Sequence, residues 1–249
     1  MSRVPDRGSR VPPSRVLSCF TCPGRGSTEW SDLPEAELRL LNQSKVANTY
    51  EPGQVIFYQG NPCLGLHCLE SGTVALRKVD RSGNSYIARL FHEGQTLGYL
   101  AYFARRGYTG TAEALTRCRV CFIDKGVVRA LLEREPTLGH RFLGRIADNL
   151  QEAEDGRLAA LALPLRAQLA HLLLTLKDRY ATVADDGVMT VDLPLSRRDI
   201  AALLGVRPES LSRAVRALDD AGIARFDGRR VTVPDLDALI DELETAEGG

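Results

Sequence analysis

SRRDIAALLGVRPESLSRAVRALDDAG, residues 196–222, carries the pattern of a complete helix-turn-helix. Ser196 is a good helix N-cap, and Asp199, three residues on, is a short acidic version of the capping-box partner. Ile200, Leu203 and Leu204 recur at i, i+3 and i+4, the stripe of a helix packed on one side. Gly205 stands where a helix end wants a left-handed residue, Val206 can plug the turn, and Pro208 opens the next helix where a missing N–H costs nothing. In that second helix Leu211, Val215 and Leu218 face inward, while Glu209, Ser212, Arg213 and Arg216 share the outer face. Arg can bridge guanine O6 and N7, Glu can accept from the cytosine amino group, and Ser adapts to either, so the outer face suits the major groove. Arg197, Arg207 and Ser210 complete the candidate DNA-contacting set. A helical hairpin with a merely solvated charged face would require all these cues to coincide by chance.

Working outward, Ile223 to Pro234 reads as a β-hairpin wing with Asp227-Gly228 at its turn, and Arg229 and Arg230 there suit backbone phosphates. Residues 166–180 read as a helix, and Val188 to Leu193 alternates like a strand, so residues 165–249 form a winged helix-turn-helix. From 136 to 164 runs a long helical pattern in which Leu143, Ile146, Leu150 and Ala153 make an a/d-type seam that weakens at Gly156 and Arg157. A lone amphipathic helix could cover a β-roll, but beside a helix-turn-helix a parallel pairing of two such helices is the better reading. Residues 45–124 differ: short apolar stretches alternate with Gly53, Gly60, Gly72, Gly83, Gly94 and Gly98, the spacing of a small all-β roll. The fold class is therefore α+β: a cysteine-bearing segment and β-roll over 17–135, a long helix over 136–164, then the DNA-binding unit. Residues 1–16, rich in Arg, Pro and Ser, read as a disordered tail.

The 249 residues suffice for two modest domains. The formal net charge is +0, so there is no global pull toward nucleic acid. Between 197 and 230, however, eight arginines face five acidic residues, a local excess of positive charge where phosphate contact is expected. No apolar run approaches the ~20 residues of a membrane span, and no signal-peptide core is present, so the expected location is the cytoplasm. The six cysteines then read as reduced thiols, metal ligands or sensors rather than structural disulfides.

A glycine-studded roll, a long dimer helix and a winged helix-turn-helix, in that order, resemble the CRP/FNR family of bacterial transcription regulators. The resemblance rests on Pro52-Gly53-Gln54-Val55-Ile56-Phe57, Ser71-Gly72-Thr73-Val74, the Gly94 and Gly98 turn, and Leu203-Leu204-Gly205 through Arg213. It implies a homodimer on a two-fold symmetric operator in double-stranded DNA, an encounter with RNA polymerase, and a signal received in the N-terminal half; it implies no enzyme activity. Cyclic-AMP-binding members carry a Glu and an Arg-Ser pair after the equivalent of Gly98. Here Tyr99 and Gly110-Thr111 occupy those places, which argues against cyclic AMP, because a buried phosphate needs a cation or an amide cradle. Glu209, Ser212 and Arg213 match the Glu-x-x-Ser-Arg pattern of the FNR-like branch, which implies TTGAT-like half-sites. Arg207 departs from the Ser or Thr usual at its place.

FNR-like proteins hold a [4Fe–4S] cluster on three N-terminal cysteines and one in the roll. Cys19-Phe20-Thr21-Cys22-Pro23 resembles the first half of the N-terminal motif, and Cys121 falls at the place of the distant ligand. The third N-terminal cysteine is missing. Cys118 would complete CxxC…CxxC, although residues three apart on a strand point to opposite faces, so a bulge would be needed. Glu29 or Asp32, or Cys68 from the roll, are the other candidates. The same thiols could bind structural Zn²⁺, act as a metal-free thiol–disulfide switch, or hold haem through Cys22. A CxxC thiol oxidoreductase would need a βαβ setting. The histidines show no ligand spacing.

Overall fold

The computed structural model describes residues 18–247; the tail expected over 1–16 lies outside them. A short 3-10 turn, Pro23–Ser27, and helix α1, Glu35–Ser44, lead into eight strands. These are β1 (Val46–Tyr50), β2 (Val55–Phe57), β3 (Gly65–Ser71), β4 (Val74–Val79), β5 (Ser85–Phe91), β6 (Thr96–Leu97), β7 (Thr111–Ala114) and β8 (Cys118–Asp124), with a short helix α2, Tyr99–Phe103, after β6. They form two antiparallel four-stranded sheets, ordered β1-β8-β3-β6 and β2-β7-β4-β5. Alternation sorts the side chains: Leu69, Val74, Phe91, Leu97 and Val120 fill the space between the sheets. Leu66 and Ile123 point the other way, into a second apolar layer with Trp30, Leu33, Leu41, Leu131, Leu138 and Phe142.

That outer layer is built from the N-terminal segment, α1, helix α3 (Lys125–Arg134) and the start of helix α4 (Pro136–Ala162). Pro136 suits the first turn of α4. At its other end Leu163 adopts an extended backbone ahead of Pro164, as expected of a residue preceding proline. Of its 27 residues, only Leu138 and Phe142 are buried, and Ile146 packs at the edge of the layer. Beyond that point the helix stands clear. Leu143, Leu150, Leu158 and Leu161 are 61–77% exposed, the condition expected of a seam awaiting a second helix. The exposed apolar row continues past Ala153 through Leu158 and Leu161.

Helix α5 (Leu165–Tyr180), strands β9 (Ala181–Val183) and β10 (Met189–Asp192), helices α6 (Arg197–Leu204) and α7 (Pro208–Asp220), strands β11 (Arg225–Asp227) and β12 (Arg230–Val233) and helix α8 (Leu236–Glu247) complete the C-terminal unit. Its sheet runs β11-β12-β10-β9. Its core of Leu169, Leu173, Leu195, Ile200, Leu211 and Leu218 is continuous with Ala75, Ile87 and Leu115 of the roll, so the C-terminal unit is docked on the β4–β5 sheet. Two polar ties fasten this joint. Arg77 on β4 reaches Asp199 at 2.6 Å and Glu113 at 2.8 Å. The Tyr180 hydroxyl lies 2.6 Å from Thr73 Oγ1 and 3.0 Å from His92 Nδ1.

Candidate DNA-reading face and cysteine centre

The capping box forms at α6: Asp199 N–H donates to Ser196 Oγ, and Ser196 N–H donates to the Asp199 carboxylate. Gly205 takes the left-handed conformation, φ 66°, which turns the chain into α7. Leu211, Ala214, Val215 and Leu218 are buried. Glu209, Ser212, Arg213 and Arg216 are exposed on the opposite side, with Ser210 half-buried. Arg213 donates to Ser210 Oγ at 3.2 Å and Ser212 Oγ donates to Pro208 O at 2.9 Å, so two readers are already oriented. Arg207 makes no side-chain cap and stays exposed at the turn. Arg197 differs from the others. It donates to Phe226 O at 3.2 Å and lies over the Phe226 ring, so it props the wing against α6. On the wing Arg229 is exposed, while Arg230 pairs with Asp192 at 2.8 Å.

The cysteines divide by strand face. Cys68 on β3 and Cys121 on β8 are directly opposed partners across the antiparallel ladder. Cys19 and Cys22 lie over them, and all four line one small cavity of about 40 Å³ with Trp30, Leu41, Lys45, Arg25 and Glu70. Two features set the N-terminal segment there. Cys19 N–H donates to Asn42 Oδ1 of α1 at 2.8 Å. Gly24 lies so close to Gly94 that a Cβ on either would meet the other's backbone at 3.1–3.2 Å, a tight approach that two glycines permit.

Cys118 is excluded, correcting the expectation that it serves as a ligand. β8 keeps unbroken register with β1 from Val46↔Phe122 to Tyr50↔Cys118, and the register shift lies opposite, in β3 between Leu69 and Ser71. Without a bulge in β8, Cys118 points between the sheets, where its thiol donates to Thr73 O and Thr116 O, each at 3.2 Å. Cys63 likewise donates to Gly65 O at 3.4 Å. The carboxylate candidates are engaged elsewhere. Glu29 is 3% exposed and accepts from Arg145 Nε at 2.8 Å and Thr96 Oγ1 at 2.7 Å. Asp32 is exposed beside Arg141. Cys68, one alternative among several from linear spacing, shares its cavity with Cys19, Cys22 and Cys121.

Burial pushes the thiols up: Cys121 to about 11, despite the nearby Lys45 ammonium, and Cys68 well above its ordinary value. Burial also raises Cys19, again opposed by Lys45. Buried protonated thiols are poor nucleophiles, and a cation in their midst is what would displace the protons. The donor set suits a thiophilic metal or an iron–sulfur cluster. Four thiolates around a [4Fe–4S]²⁺ core leave a net double negative charge, and the Lys45 and Arg25 cations line the same cavity. Among the described residues no group of three or more His, Cys, Asp or Glu side chains is spaced to hold a metal ion, so loading would require the thiols to move closer together.

Where a ribose contact would stand, Tyr99 is buried against Phe142 of α4, with its hydroxyl hydrogen-bonded by Asn149 and Arg89. Among the described residues no helix is long and apolar enough to cross a membrane.

A β-roll joined through a long helix to a winged helix-turn-helix defines a DNA-binding transcription regulator. Two family models agree: cyclic nucleotide-binding domain over residues 47–135 and Crp-like helix-turn-helix domain over 167–242. The chain belongs to the CRP/FNR family of transcription regulators, which are not enzymes and bind DNA as dimers. It is 26% identical over 242 residues to the transcriptional activator protein FnrL of Cereibacter sphaeroides, covering 95% of this chain and 96% of the relative. It is 25% identical over 210 residues to the anaerobic regulatory protein of Pasteurella multocida, covering 84% and 76%. The structure of FixK2 from Bradyrhizobium japonicum superposes with a TM-score of 0.66 at 22% identity, covering 79% of this chain and 96% of that one, which shows the shared fold.

Proposed function

We propose that this chain is an FNR-type regulator that responds to oxygen, nitric oxide or redox state through a cysteine-ligated [4Fe–4S] cluster, and that it binds a TTGAT-like palindrome as a homodimer. The observation that carries the reading is that Cys121, about a hundred residues further along the chain, lines one cavity with Cys19 and Cys22. The names of the relatives, a transcriptional activator and an anaerobic regulator, agree with it. Cys19, Cys22 and Cys121 would hold the cluster, which when bound supplies oxygen-labile redox chemistry. The surrounding residues do the rest: Trp30 and Leu41 exclude water, and Lys45 and Arg25 offset negative charge.

On the DNA side, Arg213 would bridge a guanine, Glu209 would accept from a cytosine, and Ser212, Ser210, Arg207 and Arg216 would contact the remaining base edges and phosphates. Two copies paired along Leu143, Ile146, Leu150 and Ala153 would present both α7 helices to successive major grooves of a cytoplasmic target, with RNA polymerase recruited or blocked beside it.

The test is anaerobic purification with iron, acid-labile sulfide and zinc assayed beside the visible spectrum before and after air, followed by anisotropy titration of a TTGAT palindrome at fixed salt. Roughly four iron and four sulfide per chain, as the cluster formula requires, with bleaching in air, is the expected result. Arg213→Ala should weaken specific binding by about 1–3 kcal/mol while leaving non-specific binding nearly unchanged. Absence of iron and sulfide from anaerobic protein, or equal affinity for scrambled DNA, would overturn the corresponding half of the reading.

A further inference from the structure

We infer that Cys68 is the fourth ligand of the centre, so that the metal–sulfur site is held half by the N-terminal segment, through Cys19 and Cys22, and half by a cross-strand pair in the roll, Cys68 and Cys121. The inference rests on the metal-centre reading above and replaces the third N-terminal cysteine that the chain lacks. Three observations converge. Cys68 and Cys121 face each other across β3 and β8, and directly opposed residues in an antiparallel pair put their Cβ atoms about 5 Å apart on one face. That spacing suits two thiolates sharing one metal or cluster. Cys68 lines the same cavity as Cys19, Cys22 and Cys121. The rival donors are engaged: Cys118 and Cys63 donate to backbone carbonyls, Glu29 is held by Arg145 and Thr96, and Glu70, which lines the cavity, pairs with Arg119 at 3.1 Å.

The placement has a structural consequence. Two ligands lie on adjacent strands of a rigid sheet, and two on a loop that enters the cavity from outside. Loss of the centre therefore removes one anchor of the loop, which keeps its ties to Asn42 and Arg145, and leaves the sheet in place. Cys68 also lies beside Thr96, Sγ to Oγ1 3.9 Å, and the Thr96 hydroxyl donates to Glu29, which pairs with Arg145 of α4. The ligand on β3 is thus two side chains from the carboxylate that ties the loop to the dimer helix.

The experiment compares the full chain with Cys68→Ser, Cys118→Ser and Cys63→Ser, each prepared anaerobically, by iron and sulfide content, visible and Mössbauer spectra, and rate of iron loss to a chelator. Titration of the metal-free proteins with Co(II) follows, because sulfur-to-cobalt charge-transfer intensity reports the number of thiolates bound. Cys68→Ser should lose iron at least about tenfold faster, a change at or above that for outer-sphere substitutions, and show a Co(II) spectrum of fewer thiolates. Cys118→Ser and Cys63→Ser should match the unsubstituted chain. Metal-free Cys68→Ser should melt with the metal-free parent, which separates lost ligation from misfolding. If the parent loads and Cys68→Ser loads identically in both assays, the assignment of Cys68 is wrong while the metal-centre reading stands. If the parent takes up neither iron nor Co(II), that reading falls, and Cys68 with it.

Discussion

Removing Arg145 should destabilise the chain through the charge it leaves behind. The Glu29 side chain is 2% exposed and that of Arg145 27%, with Nε and Oε1 2.8 Å apart. In Arg145→Ala the Glu29 carboxylate would keep only the Thr96 hydroxyl as a side-chain donor. Breaking a buried pair from one side costs roughly 3–5 kcal/mol. The partial exposure of Arg145 admits water toward the vacated space, so the low end, about 3 kcal/mol, is expected. For a chain of this size that corresponds to a melting temperature lower by roughly 6–12 °C. Glu29→Gln keeps an acceptor for Thr96 and removes the charge, at a cost of about 1–2 kcal/mol. Arg145 also donates to Ser27 O at 3.3 Å, a contact that survives in the Gln background, so the double-mutant cycle isolates the ion pair. Arg145→Ala should cost less than about 1 kcal/mol in that background, a coupling of about 2 kcal/mol. Urea unfolding at one fixed protein concentration is the assay, because dimerisation would otherwise shift the midpoint. Equal cost of Arg145→Ala in both backgrounds would refute the argument.

Other outcomes follow from the same geometry. Arg77→Met removes the tie between roll and α6 and should speed amide exchange in α6 and β5; unchanged exchange would show that apolar packing alone holds the joint. Ser196 and Arg77 hold the Asp199 carboxyl below its ordinary 3.8 against the upward push of burial, so its stabilisation is complete above that value and is lost as pH falls below it. Burial lowers His67 and His92 from 6.5 to about 4, so between those values the unfolded chain binds up to two more protons than the folded one. Stability should therefore fall as pH falls through that window, by up to about 2.7 kcal/mol per pH unit; His67→Phe should remove half of this slope, and an unchanged slope would count against it. Leu150→Asp should convert the chain to a monomer by sedimentation and abolish tight operator binding, whereas a dimer of unchanged strength would place the interface elsewhere.

The winged helix-turn-helix was legible almost residue by residue, because caps, turn glycine and helix periodicity act over four residues or fewer. The observed long helix, Pro136–Ala162, nearly fills its expected span of 136–164, since proline marks both ends. Cys68 was legible only as one candidate among several for a fourth ligand. Its candidacy depends on which residue of β3 stands opposite Cys121, a register set by long-range pairing rather than by local pattern. Cys118 is attractive on the page because CxxC recurs there, yet strand alternation turns it inward. Arg197 had the right charge and neighbourhood for DNA, but Phe226, 29 residues on, takes up its guanidinium. The docking of α6 on β4 and β5 left no local signal at all.

The wiring of the N-terminal segment suggests which way a signal would travel. Arg141 donates to Glu29 O at 3.1 Å and Arg145 to Glu29 Oε1, while the Trp30 ring stands edge-on to Phe142 at 5.4 Å. Residues 141, 142 and 145 share one face of α4, and Leu143 and Leu150 are exposed on another. The segment thus grips the side of the helix away from its free apolar row, and it grips only the first third. The C-terminal unit, by contrast, docks on the other sheet, through Ala75, Ile87 and Leu115. Among the described residues, a change at the cysteines accordingly has a short path of buried contacts to α4, whereas α7 lies in the unit docked on the other sheet. The reading helices would respond through the pairing of two α4 helices, which makes the seam, rather than the recognition surface, the element whose two arrangements the signal has to distinguish.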